Sequence, residues 1–360
     1  MAVKYEYWFA NIKGLSNKEK YQIRSSIKRA EELYYMEEKG IRGIVGSEEK
    51  CKNVLESVKN WNLNAEYDLL EKKEVKFITR MNSEYPKRLS EISAPPYVLY
   101  VKGKLPLEDA ISVAIVGARQ CSMYGERMAK EFAETLSDAG IQIISGMARG
   151  IDGISQRAAV QAGGSSFAVL GCGVDICYPR ENFNLYQDLQ INGGVLSEQP
   201  IGTQPQKTFF PARNRIISGL ADVVLVMEAK EESGSLITAD MALEQGKDIY
   251  ALPGNVTSHL SQGCNRLIKQ GSGILISPED LLNDLGIFHN KKVKKPIENK
   301  IVLESTEKLV YSCLDFEPRS LNHILEKTKL QISVLLDHLV MLQLKGYVRE
   351  VSKNYYVKVK

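Results

Sequence analysis

Val113-Ala114-Ile115-Val116-Gly117-Ala118-Arg119-Gln120 decides the fold: a short β-branched run ends in a glycine and an arginine, ahead of a helix-length segment. The same form recurs at Ile141–Ile144, Phe167–Leu170, Val195–Ser197, Val223–Met227, Ile249–Leu252 and Ile274–Ile276. Short β-branched runs alternating with helical segments are the pattern of a parallel sheet covered by helices on both faces. The expected fold class is therefore α/β, a Rossmann-like, doubly wound, mostly parallel sheet over residues 76–288.

Outward from this centre the pattern changes on both sides. From Asn11 to about Leu70 it is helical, with apolar marks at Ile23, Ile27, Leu33, Val54, Leu55 and Val58, so residues 1–75 read as a small helical domain of the SAM or helix-hairpin-helix kind. Ile12-Lys13-Gly14-Leu15-Ser16 reads either as a hairpin that holds a DNA backbone or as a plain helix stop and restart, and no site is assigned to it. The prolines of Tyr85-Pro86 and Ala94-Pro95-Pro96 push the preceding residues toward extended geometry and lead into a strand candidate, Tyr97–Val101. Downstream, residues 289–300 form a charged linker. Residues 301–360 hold helix candidates near Glu304–Asp315, Ser320–Thr328 and Ile332–Lys345, then strands Tyr347–Val351 and Asn354–Val359, which together make a winged helix. Its third helix carries Ile332, Leu335, Leu336, Leu339 and Leu342 on the expected core face and little positive charge, which suits partner contact or weak phosphate contact better than groove reading.

Composition narrows the function classes. A chain of 360 residues that is 44% hydrophobic and 25% charged is that of a folded protein of two or three domains. The net charge of +3, from 47 basic and 44 acidic residues, is not that of a polybasic nucleic-acid binder, so any such contact must come from local placement of charge. The first ten residues lack a secretory pattern and no apolar run reaches membrane-spanning length, so the expected location is cytoplasmic, with no membrane partner. The six cysteines are scattered and the four histidines lie far from the closest cysteine pair, so neither a metal nor another cofactor is expected.

In a doubly wound sheet ligands bind at the carboxyl ends of the strands. After the first run, Gly117 lets a backbone approach an anion and Arg119 can fork onto phosphate. A dinucleotide site would need three glycines here and an acid after the second strand, where this chain has Ser145-Gly146, so NAD is disfavoured. The loop of Gly146, Arg149 and Asp152 places an acid to cap the next helix, and Arg149 reads either as its partner or as a phosphate contact. Cys172, between Gly171 and Gly173, would need a base to act as a nucleophile, and His259 is the one histidine of this domain, so a tight turn beside ligand is the better reading. The long connection from Gln199 brings Lys207, Phe209 and Phe210 up to Arg213, Asn214 and Arg215 at a helix start: charge for phosphates and a ring for a base, with one phenylalanine expected inward and the other outward. Gly234, Ser235 and Thr238 supply small and hydroxyl residues at another helix start.

This run of motifs resembles the DprA/Smf family of DNA-processing proteins. The resemblance rests on Val116-Gly117-Ala118-Arg119, Ser145–Asp152, Phe210–Ile217, Ser233–Ala239 and Leu252-Pro253-Gly254-Asn255, which span most of the central region. It implies a protein that is not an enzyme, that binds and protects single-stranded DNA, forms a homodimer through the central domain, and loads the RecA recombinase during natural transformation. It also implies that Arg119 and Lys207 lie in the DNA pocket, with Phe210 as a base-stacking candidate. The rival class is a nucleotide or nucleoside-monophosphate hydrolase of similar fold; in that family's motif the catalytic glutamate would fall on Thr238, whose hydroxyl cannot serve as a general base at neutral pH. A nucleotide-sensing regulator whose winged helix reads duplex DNA is a third class. The homodimer contact is expected at Leu267, Ile268 and Ile274, apolar residues near the last strand, where a sheet edge must be covered or paired.

Overall fold

The computed structural model describes residues 2–287 and 303–359. The expected linker, 289–300, lies outside the described residues, as do residues 301 and 302 of the expected winged helix. Contacts divide the chain into two compact units, the first ending at Ile287 and the second built on the C-terminal residues.

A nine-stranded sheet organises the first unit: β1 (Lys76–Thr79), β2 (Val98–Gly103), β3 (Ser112–Val116), β4 (Gln142–Ser145), β5 (Ser166–Val169), β6 (Gly193–Ser197), β7 (Val223–Val226), β8 (Asp248–Ala251) and β9 (Gly273–Ile274). They lie in the order β1-β2-β6-β5-β4-β3-β7-β8-β9. From β6 to β9 all neighbours are parallel, while β2 runs antiparallel to β6 and to β1. The order reverses between β3 and β7, the switch point at which doubly wound folds bind ligands. All seven runs read from the sequence are strands of this sheet, as is Tyr97–Val101 in β2. β1 was not foreseen: Lys76-Phe77-Ile78-Thr79 is too short to show a period, and pairing with β2, Phe77 opposite Tyr100, makes it a strand.

Alternation along β2 shows how the core is built. Val98 and Tyr100 face one way, onto Trp8, Phe9 and the helix Phe183–Asn192; Leu99 and Val101 face the other, where the helices Phe209–Leu220 and Gly234–Glu244 bury Ile216, Leu220, Leu236 and Ala239. The helical region up to Lys72 thus shares one continuous core with the sheet. It begins earlier than the periodicity suggested, with a helix at Ala2–Ala10, because Tyr7, Trp8 and Phe9 point in successive directions and form no single apolar face. At Ile12–Ser16 the chain makes a helix stop and restart. Gly14 takes φ +77°, and Ser16 and Glu19 form a capping box on the helix Asn17–Ser26, the Glu19 N–H donating to Ser16 Oγ and the Ser16 N–H to the Glu19 carboxylate.

The expected contact residues near the last strand differ in exposure. Leu267 is only 4% exposed, in the core on the inner side of the helix Gln262–Lys269, and Ile268 packs partly against that core. Leu267 is therefore withdrawn as a contact residue, since its side chain is already used within the fold. Ile274, on the edge strand β9, is 45% exposed.

The second unit has helices Ser305–Ser312, Leu321–Thr328 and Ile332–Leu344 with a three-stranded sheet, β10 (Arg319–Ser320), β11 (Val348–Ser352) and β12 (Tyr355–Lys358), the winged-helix arrangement. Leu335, Leu339 and Leu342 pack in its core with Val310, Ile324 and Tyr356. Ile332 and Leu336, expected beside them, point outward, because the buried stripe covers one side of a helix that is apolar nearly all round. Among the described residues no helix is long and apolar enough to cross a membrane.

Candidate nucleic-acid site

The loops after β3, β4, β5, β6 and β7 meet at the switch point around an open cleft of about 510 Å³. A smaller recess of about 110 Å³, lined by Arg119, Arg149, Tyr178 and Phe210, also opens there.

Two exposed cations stand at the cleft, Arg119 after β3 and Lys207 before the helix Phe209–Leu220. Among the described residues neither has a carboxylate partner, so both charges are available to an anion. The Arg119 guanidinium carbon lies 5.9 Å from the Phe210 ring centroid. Phe210 stacks on Tyr178, with ring centroids 5.5 Å apart and planes inclined by 29°. Both phenylalanines of the pair 209 and 210 are half-buried, so the inward and outward division is not seen. The exposed ring here is Tyr178, at 45%. Tyr178 was not singled out from the sequence; an aromatic residue in the connection that follows a strand's carboxyl end is the signal that could have found it.

The glycines have specific packing reasons. A side chain on Gly117 would place its first carbon 2.7 Å from Ile151 Cγ1, so the glycine lets the loop lie against the helix Ile151–Gln161. On Gly146 the first carbon would fall 2.5 Å from Arg213 Nη1. Gly146 is thus required by a guanidinium of the chain itself.

That guanidinium corrects an expectation. Arg213 is 6% exposed and forms part of the cleft wall. Its Nη1 donates to Gly146 O at 2.9 Å and to Val169 O, joining the ends of β4 and β5, while its Nε is buried without a partner. Burial lowers its pKa to about 10, against the pull of Asp152, so it stays charged at neutral pH. Asp152 is buried too: burial raises its pKa, and the Arg213 charge and the Gly146 N–H, 3.2 Å from Oδ2, act in the opposite direction. Asp152 therefore faces Arg213 and does not cap its helix, whose N-cap is Gly150. Arg213 acts inside the fold, where a strand's phosphate cannot reach most of it.

Arg149 pairs with neither Asp152 nor an open face: it forms a two-pronged contact with Glu181, Nε to Oε2 at 2.7 Å and Nη2 to Oε1 at 2.6 Å, both side chains exposed. Arg215 is not brought to the cleft. It is bound two-pronged to Glu198, at 3.0 and 2.6 Å, and to Ala94 O, because one helical step beyond Asn214 points it away from the switch point. Asn214 lines the cleft and donates to Gly234 O at 3.3 Å, tying two helix starts together. Gly234 is exposed at the start of its helix, Ser235 Oγ lies 2.8 Å from Ser233 Oγ, and Thr238 is buried one turn further in, on the cleft floor. Cys172 is buried, and burial pushes its thiol up to about 11, the opposite of nucleophile activation.

Comparison with known proteins finds relatives for both units of the chain. The family model for DNA recombination-mediator protein A matches residues 76–286, and that for the DprA winged helix domain matches 295–352. The chain is 46% identical over 202 residues to Protein Smf of Escherichia coli strain K12, an alignment covering 56% of this chain and 54% of that protein. It is similar in structure to DNA processing protein A of Streptococcus pneumoniae, with TM-score 0.69 and 34% identity over 78% of this chain and 97% of that one. It is also similar to DNA processing protein A of Helicobacter pylori, a structure concerned with that protein's single-stranded DNA binding mode, with TM-score 0.54 and 31% identity over 59% and 97% of the two chains.

Proposed function

The chain belongs to the DprA/Smf family of DNA recombination-mediator proteins, and from that premise we propose that its switch-point cleft binds single-stranded DNA. The observation that carries this reading is the pair of unneutralised cations, Arg119 and Lys207, beside the stacked rings of Tyr178 and Phe210. Cations neutralise successive phosphates and an aromatic face accepts any base, which is what sequence-tolerant binding of a single strand requires. The biological setting is cytoplasmic: protection of incoming single strands in natural transformation and handover to the RecA recombinase, with no chemistry performed on the DNA. The carboxylate that a hydrolase of this fold would need is replaced by Thr238, which supports a binding function without turnover. A salt-titrated binding assay tests the reading, with affinity for oligo-dT expected to exceed that for duplex of equal length at every salt concentration. Equal or stronger duplex or mononucleotide binding overturns it.

Tyr178 is the exposed stacking surface in this account. Tyr178→Ala should weaken binding by about 1–3 kcal/mol, the value of one base stacked on a ring, and Tyr178→Phe should bind as the parent does. Fluorescence anisotropy with a short oligo-dT measures both.

The protein acts as a homodimer through the β9 edge, where Ile274 is exposed. Two clefts on one strand raise the effective concentration of the second contact and give avidity to a site of modest charge. Ile274→Glu should yield a monomer that binds long strands much more weakly and short ones unchanged. Light scattering that finds the parent monomeric with and without DNA refutes the dimer.

A further inference from the structure

Two of the loops that supply exposed side chains to the cleft have little secondary structure of their own. Tyr178 lies in the connection after β5, and Lys207 in the one after β6. Something must hold them, since an irregular loop left to itself samples many conformations. Asp175 joins the two: its Oδ1 accepts the Gly202 N–H at 2.9 Å, in the Lys207 loop, from a position three residues before Tyr178. Gly173 N–H donates to Thr203 O at 2.9 Å, and a side chain on Gly173 would come within 2.6 Å of Asp175 Oδ1 and 2.8 Å of Pro200 O, so the two loops are in close contact.

The other carboxylate oxygen of Asp175 is held from the N-terminal helical region. Lys73, the C-cap of the helix Leu63–Lys72, forms an ion pair with Oδ2, and the Asp175 side chain is 7% exposed. The same region reaches the start of the Lys207 loop, where Asn17 Nδ2 donates to Glu198 Oε2 at 3.3 Å beside the Glu198–Arg215 pair. Neither Lys73 nor Asp175 lines the cleft.

We propose that the helical region sets the geometry of the strand-binding cleft, and that Lys73 and Asp175 are positioning residues holding the Tyr178 and Lys207 loops in register. This rests on the single-strand reading above. Binding requires both loops to be in place together, so loosening the clamp lowers the fraction of competent clefts and with it the apparent affinity. Because neither residue touches phosphate, the number of counterions released stays the same.

The test uses the full chain with Lys73→Met, Lys73→Arg, Asp175→Asn and Lys207→Ala. Asp175→Asn keeps an oxygen for the Gly202 N–H and loses the charge that Lys73 needs. Lys73→Met and Asp175→Asn should weaken oligo-dT binding roughly three- to tenfold with an unchanged salt slope, and Lys73→Arg should restore the affinity. Lys207→Ala should lower the slope by about 0.7. Hydrogen exchange without DNA gives the second readout: the Gly173 and Gly202 amides should exchange faster in Lys73→Met, with the sheet amides unchanged. Parental affinity with parental exchange in Lys73→Met overturns the proposal. A fall in its salt slope comparable to that of Lys207→Ala also overturns it, by making Lys73 a phosphate contact. If the parent binds no single strand, the functional reading fails, while the exchange measurement still decides whether the clamp holds the loops.

Discussion

Changing Arg119 and Lys207 together to alanine should abolish most single-strand binding. Each is an exposed cation at the cleft that has no carboxylate partner among the described residues. A hydrogen bond to a charged group contributes about 1.5–3 kcal/mol, so losing two should weaken binding by roughly two orders of magnitude or more. The salt dependence provides an independent check: with about 0.7 of a counterion released per phosphate on a single strand, the slope should fall by about 1.4. Arg149→Ala made together with Glu181→Ala is the contrasting control. The Arg149 guanidinium is already engaged by Glu181, so this change takes away a neutral pair and should alter affinity little. Anisotropy titrations at several salt concentrations measure both variants; an Arg119 and Lys207 double variant with parental affinity and slope would place the strand elsewhere on the molecule.

The second large effect concerns stability. Arg213→Leu leaves the buried Asp152 without its opposing charge and strips the donor from Gly146 O and Val169 O. Removing one partner from buried charges costs about 3–5 kcal/mol. Arg213→Lys should recover little, because a single ammonium cannot reproduce the fork that reaches two strand ends. The pH dependence has a definite sign. Burial raises the Asp152 pKa in the fold, and removal of Arg213 raises it further. A group whose folded pKa is raised contributes stability below its unfolded pKa and loses it as pH rises through the folded value. The deficit of Arg213→Leu should therefore shrink on acidification toward the ordinary carboxylate range. Urea unfolding at neutral and mildly acidic pH measures it, and a deficit that grows on acidification would show that Asp152 is not the group left exposed to the change.

The sheet was legible because strands buried on both faces leave continuous apolar runs such as Val113–Val116, and the loops after them could be placed on one rim by topology alone. That placement brought Arg119, Lys207, Phe210, Asn214 and Gly234 to one cleft. What the sequence did not reveal was which arginine faces outward. Arg213 and Arg215 are two residues apart on one helix turn; one enters the ends of β4 and β5 and the other meets Glu198, and both partners come from distant segments that no local pattern identifies. Leu267 was misplaced for a related reason: an edge leucine and a core one look alike in sequence.

The continuous aromatic core has a consequence for what counts as a part of this protein. The family match begins at Lys76, which marks off a unit of inheritance. Trp8 and Phe9 nevertheless share their packing with Tyr97 and Tyr100 across that boundary, so the packed unit begins near the N-terminus. The two units do not coincide. A change among the first seventy-odd residues therefore alters the packing of one face of β2 as directly as a change in the strand itself.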